Sequence, residues 1–228
     1  MRVALQANTL WRFRKTKIMD SSELLLYAIT DRGQLGENEP LSEAVKAALE
    51  GGITLLQLRE KNLSDEEFLQ SAIEISNVCK SYGIKLIIND NVEICKKCGA
   101  DGVHLGQGDM DIKEARKILG NNKIIGITAK TVEQAQKAQS EGADYIGSGA
   151  IFGTSTKSDA MKMDMETLKA ITASVAIPVV AIGGIDEGNV EKLCGCGLSG
   201  VAVVSGIFSK EDKKAATKQL LQKVKKIV

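Results

Sequence analysis

Three cations and two carboxylates carry the most specific chemistry in this chain. Arg59 and Lys61 share one short polar stretch and Lys157 lies in another, each stretch following an apolar run. Cations brought together from different loops stabilise phosphate oxygens through charge-assisted hydrogen bonds. Asp90 and Asp109 stand in equivalent positions further along, and they offer the hard oxygen ligands that magnesium takes as one or two carboxylates completed by substrate phosphates. Cations, carboxylates and a divalent ion together describe a diphosphate site. Gly183-Gly184 and Ser205-Gly206 are of another kind, because such turns let backbone N–H groups approach a monophosphate. Gln57, Asn89, His104, Gln107, Thr128 and the run Thr154-Ser155-Thr156 complete the polar set.

Each residue has a plainer reading beside the chemical one. Asp90 and Asp109 also suit helix N-caps, where a carboxylate accepts the first free N–H groups of a helix. Arg59 and Lys61 also suit surface ion pairs with Glu60 or Asp65, which contribute little. His104, the single histidine of the chain, also suits a satisfied core position. The Thr154–Lys157 run also suits an ordinary loop.

The surrounding pattern decides where these residues stand. Short apolar runs alternate with longer amphipathic segments, the mark of a parallel sheet covered by helices. The runs predict eight strands, at 25–30, 55–59, 85–89, 102–105, 124–129, 145–149, 179–182 and 200–204. Ser64 with Glu67 and Thr131 with Gln134 predict capped helix starts. Glu50-Gly51-Gly52, Cys98-Gly99, Glu141-Gly142 and Cys196-Gly197 each place glycine between a helix end and the next strand. No G-x-G-x-x-G follows the first strand, which argues against a doubly wound dinucleotide fold. The expectation is a single (β/α)8 TIM barrel over 19–228, with every polar residue named above at the C-terminal strand ends, where barrel enzymes keep their active sites.

Composition is consistent with that size and class. The 228 residues are 43% hydrophobic, with 30 Lys and Arg against 29 Asp and Glu, so no bulk charge points to nucleic acid or a membrane surface. No run approaches the roughly 18 apolar residues of a membrane span, which predicts a soluble, cytoplasmic protein. Residues 1–18 carry Arg2, Arg12, Arg14, Lys15 and Lys17 without an acid, and they are read as a disordered extension or an upstream start ahead of Met19. The five cysteines include Cys95-x-x-Cys98 and Cys194-Gly-Cys196, a spacing seen in zinc sites. Each pair falls where a predicted helix closes on glycine, so reduced packing thiols are the favoured reading. The sequence leaves open whether the chain works alone or as a homo-oligomer.

The motifs in order are Gln57-Leu-Arg59-Glu-Lys61, Ile88-Asn89-Asp90, Gly102-Val-His104-Leu-Gly-Gln107-Gly-Asp109, Gly153-Thr154-Ser-Thr156-Lys157 and Ala181-Ile-Gly183-Gly184-Ile185. Together they resemble the thiamine-phosphate synthase family, from about Leu24 to the C-terminus. The resemblance implies a magnesium-dependent transferase that joins a hydroxymethylpyrimidine diphosphate to a hydroxyethylthiazole phosphate by a dissociative route. It implies Asp90 and Asp109 as magnesium ligands, Arg59, Lys61, Asn89 and Lys157 on the diphosphate, and Gln57 beside the pyrimidine. Thr154 and Thr156, with the backbone of Gly184, Val204 and Ser205, are implied on the thiazole phosphate side. Thr128 stands where the family usually has a serine and keeps the hydroxyl. Lys130 replaces a frequent histidine, and Ala150 and Gly153 replace prolines, which predicts a more mobile loop after the sixth strand. A thiazole tautomerase of the same barrel family and a non-catalytic barrel binding a thiamine precursor are the rival readings. The first is disfavoured by Lys130, the second by the full set of leaving-group cations.

Overall fold

The computed structural model describes residues 19–153 and 163–228. The expected extension at 1–18 and the expected contacts Thr154, Thr156 and Lys157 lie outside the described residues. Eight parallel strands close into a barrel in sequence order, β1 pairing with both β2 and β8. They are β1 Leu26–Ile29, β2 Leu55–Leu58, β3 Leu86–Asn89, β4 Gly102–Leu105, β5 Ile124–Thr128, β6 Tyr145–Gly149, β7 Val179–Ile182 and β8 Gly200–Val203. The outer layer is α1 Leu41–Gly51, α2 Asp65–Ser81, α3 Val92–Cys98, α4 Ile112–Leu119, α5 Val132–Glu141, α6 Met165–Ser174, the single turn α7 Ser205–Phe208 and α8 Lys213–Val224.

Side chains on a strand alternate between its faces, and the burial follows that period. Leu26, Ala28, Leu56, Leu58, Leu86, Ile88, Val103, Leu105, Ile125, Ile127, Val179 and Ala181 join the core between sheet and helices. The intervening Tyr27, Ile29, Leu55, Ile87, Ile124, Tyr145, Val180 and Ala202 form a second cluster inside the barrel. Continuing that second series towards the strand ends gives Gln57, Asn89, His104 and Thr128, so the alternation that fills the barrel also turns these polar groups inward. Met19 and Leu24 close the bottom of the interior cluster. A one-turn 3-10 helix, Ser21–Leu24, holds them there behind a capping box of Asp20 and Glu23.

Local chemistry sets the element ends. Ser64 and Glu67 form a reciprocal capping box on α2. Thr131 caps α5 through the Gln134 N–H, while the Gln134 side chain reaches past it to the Lys130 N–H at 2.7 Å. Gly52 and Gly142 adopt φ of 99° and 98° at the ends of α1 and α5, a left-handed conformation that costs glycine little. The expected helix between β7 and β8 is instead a single 3-10 turn, Val190–Leu193. Gly188 just before it, and Gly195 and Gly197 at φ of 75° and 70°, leave too few uninterrupted residues for an α-helix.

At the barrel floor Arg116 bonds the carbonyls of Gly120, Lys123 and Gly142 and the carboxylate of Asp144. The same Asp144 oxygen accepts the Ile125 N–H at 2.9 Å. This clamp ties the entries of β5 and β6 together, at the end away from the polar strand tips.

Candidate active site

A cavity of about 330 Å³ opens at the C-terminal end of the barrel. Its wall includes Gln57, Arg59, Lys61, Asn89, Asp90, Asp109, Thr128, Lys130, Gly183 and Val204. With Tyr27 and Ile29 from the first strand and Gly147 and Gly149 from the sixth, residues from all eight strands meet in one place. Gly184 and Ser205 are absent from the wall and stand one residue beyond Gly183 and Val204. Asn189 Nδ2 donates to the Gly184 carbonyl at 2.7 Å, which fixes the turn after β7.

The cations are held by carboxylates other than those the sequence offered. Arg59 Nη1 meets Asp31 Oδ2 at 2.8 Å, with both side chains less than a fifth exposed. Its backbone N–H donates to the buried Thr30 hydroxyl at 3.0 Å. Glu60 is taken instead by Arg32. Lys61 reaches across the mouth to Asp90 Oδ2 at 2.6 Å, not to Asp65. Thr30 and Asp31 were missed by motif reading. The signal was present, because both directly follow the first strand, where site residues collect.

Asp90 and Asp109 are not helix caps. The caps of α3 and α4 are Asn91 and Asp111, whose side chains accept the N–H groups of Ile94 and Lys113. Asp90 instead sits at φ 61°, a region non-glycine residues rarely occupy and which concentrates at functional sites. Asp109 folds back on its own loop, accepting the Gly106 N–H at 2.6 Å. The two carboxyls line the same cavity and each shifts the other's titration. Burial pushes Asp109 up, and the Asp90 charge pushes it further against the Gly106 N–H. Burial also pushes Asp90 up, but the hydrogen bond from Lys61 and the contact with Asp109 hold it below the ordinary carboxylate range. Two crowded carboxyls facing a cavity are a donor set that suits magnesium, which needs only one or two protein oxygens besides water and phosphate. No group of three or more His, Cys, Asp or Glu side chains gathers among the described residues, so a closed all-protein metal cage is not formed there.

The loop after β6 packs on the turn after β7. Ile151 and Phe152 donate their N–H groups to the carbonyls of Ile182 and Gly183 at 3.0 Å each. Gly153 adopts φ 80°, a value closed to proline, whose ring holds φ near −65°. The residue at 153 therefore follows from the backbone path here. Cys95 and Cys98 do close α3, whereas Cys194 and Cys196 follow the 3-10 turn rather than close a helix. All five cysteines are free thiols. No helix among the described residues is long and apolar enough to cross a membrane.

A closed parallel barrel with a polar cavity at its strand ends places the chain in the class of (β/α)8 barrel enzymes. The chain belongs to the thiamine monophosphate synthase family, whose pattern matches residues 26–207. It is 47% identical over 204 residues to a thiamine-phosphate synthase of Fusobacterium nucleatum, covering 90% of this chain and 98% of that one. It is 49% identical over 197 residues to a thiamine-phosphate synthase of Ruminiclostridium cellulolyticum, covering 86% and 93%. Among solved structures, a thiamine phosphate pyrophosphorylase from Pyrococcus furiosus superposes with a TM-score of 0.84 at 38% identity, covering 91% of this chain and 98% of that one.

Proposed function

We propose that this transferase of thiamine biosynthesis couples a hydroxymethylpyrimidine diphosphate to a hydroxyethylthiazole phosphate, giving thiamine phosphate and diphosphate. The observation that carries this reading is the pairing of two chemistries on one cavity wall: Arg59, Lys61, Asp90 and Asp109 at the mouth, above Gln57, His104 and Thr128 inside. A flat heterocycle suits the interior and its diphosphate suits the mouth.

The bond from the methylene carbon to the diphosphate oxygen breaks with its electron pair leaving on oxygen. The positive charge left behind spreads into the pyrimidine ring. The thiazole nitrogen lone pair then forms the new carbon–nitrogen bond, and no proton has to move. Such a reaction demands stabilisation of the leaving group rather than an acid or base. Arg59 and Lys61 supply positive charge, each released from its carboxylate partner when phosphate oxygens arrive, and Asn89 adds a neutral donor. Asp90 and Asp109 would hold magnesium, which supplies Lewis-acid neutralisation of charge on the departing oxygens. Thr128 presents a hydroxyl beside the ring. Lys157, Thr154 and Thr156 are assigned by motif to the diphosphate and thiazole phosphate. The backbone at Gly184, Val204 and Ser205 is assigned to the latter.

Incubating the protein with both substrates, with magnesium and then with a chelator in excess, tests the reading. Thiamine phosphate should form only when both substrates and magnesium are present. Rearrangement of a thiazole phosphate alone, with no coupling, would replace the reading with tautomerase activity. The cavity offers Lys130, not a histidine, at the position that reading requires.

A further inference from the structure

A line of five hydrogen-bonding side chains crosses the inside of the barrel at the base of the cavity, and all but Tyr145 line it. Gln57 Nε2 donates to the Tyr27 hydroxyl at 2.6 Å, and that hydroxyl lies 2.8 Å from the Tyr145 hydroxyl. Tyr145 Oη is 2.9 Å from His104 Nδ1, and His104 Nε2 is 3.0 Å from Thr128 Oγ1. Tyr27 and Tyr145 are fully buried, meet edge to face, and belong to the interior core cluster. Two interior glycines leave them room. A Cβ on Gly126 would lie 2.1 Å from the Tyr145 ring, and one on Gly147 would lie 3.2 Å from His104 Cε1.

Buried polar groups in a barrel core cost free energy unless every one is satisfied, and no buried side-chain nitrogen or oxygen among the described residues lacks a partner. A hydroxyl has one proton to give and a neutral imidazole has one N–H, so the direction of each bond constrains the next. In the direction that continues the Gln57 donation, Tyr27 gives its proton to Tyr145, Tyr145 gives its own to His104 Nδ1, and Nε2–H points at Thr128 Oγ1; either phenol can be the donor across the 2.8 Å contact, and the His104 tautomer separates the two directions. Both phenols stay protonated, because burial raises them well above the ordinary tyrosine value. The chain then ends with the Gln57 amide oxygen as an acceptor and the Thr128 hydroxyl proton as a donor, and both residues line the cavity.

We propose that Tyr27, Tyr145 and His104 are positioning residues whose one-way hydrogen-bond chain fixes an acceptor at Gln57 and a donor at Thr128, selecting a planar heterocycle that carries an exocyclic amino group beside a ring nitrogen. The proposal rests on the assigned coupling reaction for the identity of that heterocycle, while the chain itself has an independent readout. His104 is the only histidine, so its ring nitrogens give unambiguous ¹⁵N resonances in the ligand-free protein.

The experiment records those resonances in the wild type, Tyr145→Phe and Tyr27→Phe. It also compares kcat/KM for the pyrimidine diphosphate and for an analogue with hydrogen in place of the amino group. The wild type should show Nδ1 unprotonated and Nε2 protonated, with strong preference for the aminated substrate. Both variants keep their rings. They should populate mixed tautomers, lose roughly tenfold in kcat/KM for the aminated substrate, and discriminate less against the analogue. Tyr27 is the discriminating position, since the chain reaches His104 from it only through Tyr145. Unchanged His104 resonances in Tyr27→Phe, or a wild-type tautomer protonated at Nδ1, would overturn the chain as drawn. Shifted tautomers with undiminished discrimination would overturn its role in selection. A wild type that forms no thiamine phosphate would sink the coupling reaction, and the resonances would still decide whether the chain exists.

Discussion

At the scale of single residues, the separation of caps from site carboxylates gives paired predictions. Asp111 and Asn91 do the capping that Asp109 and Asp90 were equally suited to by sequence. Asp111→Ala should therefore lower stability by about 1 kcal/mol in denaturant melts, the usual cost of a lost cap, with turnover retained. Lys61 is nearly half exposed and paired only at the mouth. Lys61→Ala should leave the melting temperature within a few degrees and lower kcat roughly 10²-fold, as expected for one preorganised charge lost from a departing anion. A change confined to KM would show that Lys61 only collects substrate. The carboxylates were recognisable by position in the chain, but their function was not separable from capping until the backbone showed which residue faced the helix. One residue of displacement, Asp90 against Asn91, carries that distinction, and spacing rules are no finer than that.

Among the elements, all eight strands were legible because each is a short apolar run buried on both faces, and their bounds agree with the reading to within a residue at either end. The segment between β7 and β8 was not, since Gly188, Gly195 and Gly197 interrupt it and only a 3-10 turn survives. The polar line inside the barrel was also invisible. Tyr27 and Tyr145 look like ordinary strand aromatics, and only barrel closure brings residues 118 positions apart into hydrogen-bonding contact. The elements that carry the cysteines set their reactivity. Burial, reinforced by the Asp101 charge at Cys79 and by Cys98 at Cys95, pushes both thiols up to about 12. Cys194 is exposed. An alkylating reagent at neutral pH should modify Cys194 first and reach Cys79 and Cys95 only on unfolding, because the thiolate is the reacting form. Peptide mapping that finds Cys95 labelled in the folded protein would contradict this placement.

Across the whole molecule, stability and chemistry occupy opposite ends of the barrel. The floor is closed by Met19, Leu24 and the Arg116–Asp144 clamp, whose carboxylate side chain is 5% exposed. Arg116→Ala strands a buried charge and should cost about 3–5 kcal/mol, read as a large fall in melting temperature. Turnover measured well below that transition should stay near wild type, since the clamp lies a full strand length from the cavity. The strand tips carry the opposite signature, in which loss of function comes without loss of fold. The most direct test of that claim is a magnesium titration of turnover for the wild type, Asp90→Asn and Asp109→Asn, each beside a thermal melt. Asparagine keeps an oxygen but removes the charge that draws a hard ion from water. Near-native melting, strongly reduced turnover and partial recovery as magnesium rises are the predicted result. Full activity with unchanged magnesium dependence in both variants would contradict it.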